Sequence, residues 1–208
     1  LAAATAGTRR WSYRGRETDP AAAPERLTVA AAFARHAGID LLATIAPDGE
    51  PDRPALAAAA EGAGIRFAAD DSWTDIYSRI LVERIEPHLG IGRPSILCDY
   101  PASEAALARR KPGDPRLAER FELYACGVEL ANAFGELTDP AEQRARFEAD
   151  MDEKQRLYGE RYPIDEDFLA ALVAMPETSG IALGFDRLVM LATGANRVED
   201  VMWVPVSE

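Results

Sequence analysis

Residues 121–139 read FELYACGVELANAFGELTD, and the interpretation of the whole chain is built outward from this stretch. Residues 121–124 and 128–130 have the pattern of two short strands. Cys126 and Gly127 lie between these runs and are the expected central residues of a tight turn. The stretch therefore predicts a β-hairpin.

Acidic side chains cluster on one face of this predicted hairpin. With the turn in place, Tyr124 lies opposite Glu129, and the side-chain period of two puts Glu122 on the same face. Glu122 and Glu129 are then diagonal neighbours, about 7–8 Å apart at the backbone and within reach of one cation. Asn132 and Glu136 follow shortly after. Three acids and an amide are thus predicted around one small volume.

Clustered carboxylates repel one another unless a positive group lies between them. Mg²⁺ held by one or two carboxylates together with substrate phosphates would satisfy the acids, and so would the amine of a substrate. The alternative is an exposed hairpin whose glutamates face water. Spacing alone leaves these interpretations open.

The composition indicates one globular domain over residues 1–208. The chain is 48% hydrophobic and 28% charged, which is enough apolar sequence for a sizeable core. No apolar run approaches the roughly 20 residues of a membrane-spanning helix, so no membrane contact is expected. Two cysteines, Cys98 and Cys126, make neither a disulfide framework nor a zinc site. A reducing cytoplasm is therefore the expected location.

The acidic balance of the chain bears on its partners. The formal net charge is −12, which argues against an extensive nucleic-acid surface because such surfaces neutralise phosphates with Lys and Arg. The chain begins with Leu1 in the Ala-rich sequence LAAATAG, which has the character of a helix end, and we interpret the chain as a fragment or a processed piece. Residues 1–26 are punctuated by glycine and proline and are predicted to be loosely ordered, with a short strand at 11–14.

Caps and helical periodicity predict most of the remaining elements. Helices are expected over residues 29–37, from 54 to about 62–64, and over 71–88. Two more are expected after the caps Asp139 (to about residue 158) and Asp165 (to a point before Pro176). Thr28 is the predicted cap of the first helix and Gly38 its predicted stop, and Gly194 is the predicted stop of the helix over 185–193. A strand is expected over residues 95–99.

The last motif is SGIALGFDRLVM, residues 179–190. It predicts a strand over residues 181–184, followed by a helix over 185–193. Arg187 then lies in the first helical turn, where the helix dipole favours anions and a guanidinium can bind a phosphate through two hydrogen bonds. A surface pair between Asp186 and Arg187 is the alternative. Gly180 and Gly184 lack a Cβ, so another group can approach the backbone closely there.

These residues resemble a known family. FELYACGVELANAFGELTDP, followed by SGIALGFDRLVMLATGA, is similar to the C-terminal half of a class II lysyl-tRNA-synthetase catalytic domain. The second stretch resembles motif 3 of that class. GVELANAFGELTD and the segment YPASEAALAR, residues 100–109, most resemble the bacterial elongation factor P lysine lysyltransferases, synthetase paralogues without an anticodon-binding domain. The resemblance covers roughly residues 90–206.

The resemblance implies an α+β fold, in which an antiparallel sheet of six or seven strands is flanked by helices. It implies that an amino acid is activated with ATP and Mg²⁺. Glu122 and Glu129 would bind Mg²⁺, and the backbone around Glu129 and Leu130 would line the nucleotide site. Arg187 would contact the terminal phosphate. Arg187, as the phosphate contact, and Glu129, as a Mg²⁺ ligand, are therefore the expected catalytic residues.

The resemblance also implies an amino-acid pocket. Asn132 and Glu136 would lie in it, with Glu136 close to a substrate amine, and Gly184 would let ATP lie against the backbone. Ala182 occupies a position where lysyl-tRNA synthetases more often carry glycine. The added methyl group would reshape the pocket, and in the lysyltransferases this accompanies acceptance of β-lysine.

The expected function is therefore activation of lysine or β-lysine as an adenylate and transfer to a lysine side chain of elongation factor P. The alternatives are a lysyl-tRNA synthetase that charges tRNA and a non-catalytic ligand-binding or partner module. Nothing before Thr28 resembles motifs 1 and 2 of the class. Motif 2 carries the arginine that contacts the α-phosphate, so this piece alone is expected to be inactive. Motif 1 builds the dimer interface, so a homodimer is expected of the complete protein.

Overall fold

The fold is taken from a computed structural model, in which Gly7 and residues 9–105 and 107–204 are described. The strands are β1 Trp11–Tyr13, β2 Arg16–Thr18, β3 Glu25–Thr28, β4 Ser95–Pro101, β5 Leu117–Ala125, β6 Val128–Gly135 and β7 Ser179–Leu183. The helices are α1 Val29–Ala37, α2 Arg53–Gly62, α3 Trp73–Ile80, α4 Pro140–Tyr158, α5 Glu166–Leu172 and α6 Phe185–Thr193. Helix α3 continues through a π-helical turn, Leu81–Ile85, into a 3₁₀ turn, Glu86–His88.

Five strands form one sheet in the order β3-β4-β5-β6-β7, and β1 and β2 form a separate antiparallel hairpin. Strands β4 to β7 are antiparallel neighbours, which confirms the predicted α+β class. The expected sheet of six or seven antiparallel strands is wrong in two respects for the described residues. The sheet has five strands, and β3 runs parallel to β4. The connection between these two strands passes through α1, α2 and α3, and such a long crossover can bring the chain back in the same direction.

Several helix ends were predicted from their caps. Helix α1 begins after Thr28, whose hydroxyl accepts a hydrogen bond from the Ala31 amide at 3.1 Å, and ends at Gly38 in the left-handed region with φ 70°. Helix α4 begins after Asp139, and helix α6 ends at Gly194. These predictions are confirmed.

The main core lies between α1, α2, α3 and one face of the sheet. Leu97 on β4 and Tyr124 on β5 are buried in the same apolar cluster as Phe33, Leu56 and Ile76 from the helices. Because Leu97 pairs with Glu122 across the sheet, this core covers part of the face that carries Glu122. The helices therefore bound the acidic cluster on its β4 side.

A smaller core lies on the other face of the sheet. Leu123 and Leu130 pack there with Trp11 of β1 and with Met190 and Leu191 of α6. The chain segment 1–26, predicted to be loosely ordered, thus contains a hairpin with a buried tryptophan, while residues 1–6 and 8 lie outside the described residues. Thr18 anchors the β1–β2 hairpin to the turn between β5 and β6, because its hydroxyl accepts a hydrogen bond from the Cys126 amide at 2.8 Å.

Within the described residues, no helix combines the length and the apolar character needed to cross a bilayer. Cys98 and Cys126 are both buried free thiols.

Candidate active site

The β5–β6 hairpin has the predicted turn but a different register beyond it. Tyr124 pairs with Glu129 and Ala125 with Val128, as predicted, so that Cys126 and Gly127 are the turn residues. Leu123 then pairs with Ala131, which leaves Leu130 as an extra residue in a β-bulge. In the predicted register Glu122 lies two positions along the ladder from Glu129, and the bulge increases this offset to three positions. The expected diagonal relation between Glu122 and Glu129 is therefore wrong.

The bulge brings Asn132 opposite Glu122. A continuous ladder would pair Glu122 with Ala131 and turn Asn132 to the other face of the sheet. In the observed register Glu122 pairs with Asn132, and Asn132 pairs with Ala182 on β7. Three of the predicted site residues thus form one row across β5, β6 and β7, on the face that carries Tyr124 and Glu129.

The carboxylate of Glu122 is held by three donors. Its Oε2 accepts a hydrogen bond from the Tyr124 hydroxyl at 2.6 Å. Its Oε1 accepts from Nδ2 of Asn132 at 3.3 Å and from Nη2 of Arg120. Glu122 is only 5% exposed, so these contacts compensate the loss of water around its charge.

Arg120 is itself fixed by its surroundings. Its guanidinium carbon lies 4.3 Å from the centroid of the Tyr100 ring, in a cation–π contact. Its Nη1 donates to the backbone carbonyl of Glu104, and its Nη2 makes the ion pair with Glu122. Arg120 was not among the predicted site residues, although its position two residues before Glu122 on β5 already places it on the same face.

Arg187 and Glu129 meet at the other end of the acidic face. Nη1 of Arg187 lies 3.0 Å from the Glu129 carbonyl oxygen and 3.2 Å from its Oε2. The amide of Gly184 donates to the Leu130 carbonyl at 2.9 Å, which fixes the start of α6 against the bulge of β6. The guanidinium therefore contacts one acid of the hairpin, and its polar contacts run to Glu129 rather than to Asp186.

A third acid, which the sequence did not indicate, approaches from the helical side. Glu86, in the 3₁₀ turn after α3, places its Oε1 3.5 Å from the Tyr124 hydroxyl. Burial raises the pKa of the Glu86 carboxyl, and the charges of Glu122 and Glu129 raise it further. Burial also raises the pKa of the Tyr124 phenol, with Glu122 adding to the effect, so that Tyr124 keeps its proton.

Glu136 and the two glycines of the last motif occupy the β6–β7 end of the site. A carboxylate oxygen of Glu136 lies within contact distance of the position that a Cβ on Gly180 would take, so that a side chain there would displace the Glu136 carboxylate. A Cβ on Gly184 would meet the Arg187 side chain at 3.4 Å and the Leu130 carbonyl at 3.6 Å, both ordinary contacts. That ATP lies against Gly184 stays a prediction.

Asn132 carries an unsatisfied acceptor. Its Oδ1 is buried and has no hydrogen-bond partner among the described residues, whereas its Nδ2 donates to Glu122. A buried carbonyl oxygen without a donor is uncommon in folded proteins and indicates a missing partner. An ammonium group or a cation beside Glu122 would supply that partner.

The oxygen ligands of the site suit a hard cation that is bound by the protein and the substrate together. In the described part of the chain, no group of three or more acids, histidines or cysteines is arranged to hold a metal by itself. The site does offer the carboxylates of Glu122 and Glu129, and Mg²⁺ is commonly bound by one or two carboxylates together with substrate phosphates. The residues therefore fit Mg²⁺ in the company of a nucleotide, and Glu122 and Glu129 would be the residues that hold it.

Comparison with known proteins identifies the family. The profile of the tRNA synthetases class II (D, K and N) matches residues 26–208. The chain belongs to this family. The class II resemblance inferred from the motifs is thereby confirmed.

The relatives carry two kinds of name. An elongation factor P–(R)-β-lysine ligase of Proteus mirabilis is 43% identical over 187 residues, which are 88% of this chain and 55% of the relative. A second such ligase, from Sodalis glossinidius, is 42% identical over 181 residues, 86% of this chain and 54% of the relative. A lysine–tRNA ligase of Dehalococcoides mccartyi is 40% identical over 182 residues, 86% of this chain and 35% of the relative. The chain thus spans about half the length of the first group and about a third of the last.

Proposed function

We propose that the protein is an ATP-dependent ligase, which activates lysine or β-lysine as an aminoacyl-adenylate and transfers it to a lysine side chain of elongation factor P. The observation that carries the proposal is the convergence of Arg187 on Glu129 at one end of the acidic sheet face. The names of the relatives with 43% and 42% identity support the choice of substrate and acceptor.

The nucleotide would occupy the Arg187 end of the site. Arg187 projects from the first turn of α6 and is half-exposed, so it is available to bind the terminal phosphate of ATP. The backbone of Leu130 and Gly184 would line the nucleotide site. Glu122 and Glu129 would hold Mg²⁺, which neutralises the charge of the triphosphate when it is bound.

The amino acid would lie toward Asn132 and Glu136. The free Oδ1 of Asn132 is suited to accept a hydrogen bond from a substrate ammonium group. Glu136 offers a carboxylate beside Gly180, at the β6–β7 end of the site, where it would bind the second amino group of the substrate. Ala182 shares the Asn132 row, so its methyl group would limit the space beside the substrate and favour β-lysine.

The reaction needs positioning more than covalent help from the protein. The substrate carboxylate attacks the α-phosphate of ATP, and pyrophosphate leaves. The protein accelerates this step by holding the two reactants in line and by compensating the phosphate charge. Arg187 and the acid-bound cation would supply that compensation for the β- and γ-phosphates.

A lysine–tRNA ligase is the second candidate, supported by the relative with 40% identity. The net charge of −12 favours the protein acceptor, because a tRNA surface needs a local excess of Lys and Arg. For the protein at full length we further propose a homodimer in the cytoplasm, without membrane contact.

The proposal is tested by ATP–pyrophosphate exchange on the full-length protein with lysine and with (R)-β-lysine. We expect exchange with at least one of them and a higher kcat/KM for β-lysine. Glu129→Gln and Arg187→Ala should each lower the exchange rate by at least about 100-fold, a loss of roughly 3 kcal/mol of transition-state stabilisation.

Arg156→Ala provides a matched control, because Arg156 pairs with Glu153 on the exposed surface of α4. This variant should keep wild-type exchange. Near wild-type exchange in both site variants would overturn the site assignment, and no exchange with either amino acid would favour a non-catalytic module. Labelling of elongation factor P but not of tRNA would decide between the two ligases.

A further inference from the structure

The side chain of Arg109 connects two segments that lie on either side of β6. It directly follows Ala108, which forms an isolated β-bridge with Glu136. Its Nε donates a hydrogen bond to Oε2 of Glu119 on β5 at 2.5 Å, and its Nη1 donates to Oε1 of Glu177, two residues before β7. One guanidinium thus joins β5 to the segment that leads into β7, across the end of β6.

Gly135 is the residue of β6 that this side chain crosses. A Cβ on Gly135 would lie 3.0 Å from Nε of Arg109 and closer still to Oε2 of Glu119, so a larger residue would push the ion pair aside. Side chains alternate along a strand, so Gly135 and Glu136 face opposite sides of the sheet. Glu136 shares its side with Asn132 and the candidate site. Arg109 therefore lies on the opposite face of the sheet from the Glu136 side chain.

The backbone of Glu136 is held by the same segments that Arg109 joins. The Arg109 amide donates to the Gly135 carbonyl at 2.8 Å, and the Glu136 amide donates to the Thr178 carbonyl at 3.0 Å. Thr178 directly follows Glu177, whose carboxylate forms an ion pair with Arg109. The ion pairs of Arg109 therefore close a ring of contacts around the Glu136 backbone.

The carboxylate of Glu136 depends on this backbone for its position. Among the residues that the structure describes, no side chain forms an ion pair with Glu136, and one of its carboxylate oxygens lies beside Gly180. Such a carboxylate is available for a substrate amine. Because no cationic side chain fixes it, its place in the site follows from the position of its main chain.

We propose that Arg109 is a positioning residue for the amino-acid pocket, which sets the place of Glu136 through Glu119 and Glu177 without touching the substrate. This inference rests on the proposed function, because it takes Glu136 as the residue that binds a substrate amine. A carboxylate that is displaced from its partner by even a fraction of an ångström binds that partner less tightly. Loss of Arg109 should therefore weaken the binding of the amino acid and leave the binding of the nucleotide unchanged.

Two simpler roles of Arg109 make different predictions. If Arg109 only stabilises the fold, its loss lowers Tm and leaves the Kd values of the folded protein unchanged. If Arg109 acts only as a positive charge near the amine site, its removal lowers the Kd of the amino acid, because the repulsion of the substrate ammonium group is gone. Positioning predicts the opposite sign, a higher Kd of the amino acid.

The experiment is calorimetric titration of the full-length protein with lysine, with (R)-β-lysine and with a non-hydrolysable ATP analogue in the presence of Mg²⁺. For the amino acid that the wild type binds more tightly, we expect Arg109→Ala to raise Kd about 5- to 20-fold. Glu177→Ala should raise it about two- to fivefold, the range of an exposed ion pair. Both variants should keep the Kd of the ATP analogue within about twofold of wild type.

Circular dichroism and thermal melts check that each variant is folded. Glu177 is 78% exposed, so Glu177→Ala carries the test if Arg109→Ala does not fold. Arg116→Ala is the matched control, because the side chain of Arg116 pairs with Asp114 in the loop before β5 and is 29% exposed, against 31% for Arg109. This control should keep every Kd of the wild type.

The Glu136→Gln background completes the test. The carboxylate is absent there, so adding Arg109→Ala should raise the Kd of the amino acid by less than about twofold. An unchanged or lower Kd of the amino acid in Arg109→Ala and Glu177→Ala would overturn the proposal. An equal rise in the Kd of the ATP analogue would do the same, as would an undiminished Arg109 effect in the Glu136→Gln background. Wild-type Kd in Glu136→Gln itself, or no binding of either amino acid by the wild type, would instead refute the amino-acid pocket of the proposed function, and this inference with it.

Discussion

Arg120 and Glu122 form the most deeply buried ion pair of the candidate site. Their side chains are 19% and 7% exposed, and they join two neighbouring positions on one face of β5. Each of these buried charges is stable only while its partner is present, because water cannot reach the site to solvate a charge that has lost its partner. Exposed pairs such as Arg156–Glu153 on α4 are screened by solvent and contribute little.

Replacing Arg120 by methionine is therefore expected to destabilise the fold strongly. It leaves Glu122 buried without its cation, and the expected cost is about 3–5 kcal/mol in the free energy of unfolding, measured by urea denaturation. The double variant Arg120→Met/Glu122→Gln should recover much of this loss, because the unpaired charge is gone. As a control, Arg156→Met should leave the free energy of unfolding nearly unchanged, because this exposed arginine is screened by solvent. An equal, small effect at both arginines would contradict the argument.

At this scale the sequence identified most of the residues that meet at the site. Glu122 and Glu129 share a face because strand periodicity fixes it, and Arg187 follows from a recognisable helix start. Glu86 could not be predicted, because it reaches Tyr124 from a distant segment and no local pattern marks it.

At the scale of the elements, α3 begins at a capping box, in which Ser72 and Asp75 each accept a hydrogen bond from the backbone amide of the other. The Ser72 hydroxyl accepts a hydrogen bond from the Asp75 amide at 3.1 Å. Oδ2 of Asp75 accepts in return from the Ser72 amide at 2.8 Å and from its hydroxyl at 2.7 Å. These bonds hold the pKa of the Asp75 carboxyl below its ordinary value.

This cap predicts a pH-dependent contribution to stability. A lowered pKa in the folded state gives stability that is present above the unfolded value of about 3.9 and is lost as the pH falls through the folded pKa. Ser72→Ala should cost about 1 kcal/mol at pH 7, and this cost should shrink as the pH is lowered below about 4. Urea denaturation at several pH values measures it.

Asp75→Asn is the matched variant, because asparagine does not titrate. Relative to wild type, its stability deficit should be largest at neutral pH and should also narrow in acid. A Ser72→Ala deficit that stays constant from pH 7 to pH 3 would contradict the role assigned to the Asp75 charge.

The β5–β6 hairpin marks the limit of prediction at the element scale. Its turn was predicted because Cys126 and Gly127 stand between two strand patterns, and both take positive φ, 55° and 72°. The bulge at Leu130 was not, since nothing in the sequence of one strand specifies how many residues oppose those of its partner. That single extra residue decides that Asn132 faces Glu122.

At the scale of the whole molecule, the excess of acidic residues is the dominant feature. The chain has 35 Asp and Glu against 23 Lys and Arg. Such a charge destabilises the compact state by self-repulsion, and salt screens this repulsion. Buried pairs such as Arg120–Glu122 are screened much less than exposed charges.

The protein is therefore expected to be more stable at high than at low ionic strength. We expect Tm at pH 7 to rise between 20 mM and 500 mM NaCl, with each kcal/mol gained shifting Tm by about 2–4 °C. Differential scanning calorimetry provides the measurement. Near pH 5, close to the sequence pI of about 4.7, the net charge is small and the rise should largely disappear. A fall of Tm with salt at pH 7 would show that attractive ion pairs dominate instead.

The sequence by itself determined the α+β class, the ends of α1, α4 and α6, the hairpin turn and the family, because caps, turn residues, periodicity and motifs are local signals. Only the tertiary structure decided the parallel pairing of β3 with β4, the bulge that turns Asn132 toward Glu122, and the approach of Glu86 to Tyr124. These features depend on contacts between segments far apart in the chain. Their geometry is set by how the helices and strands pack together, which no short stretch of sequence encodes.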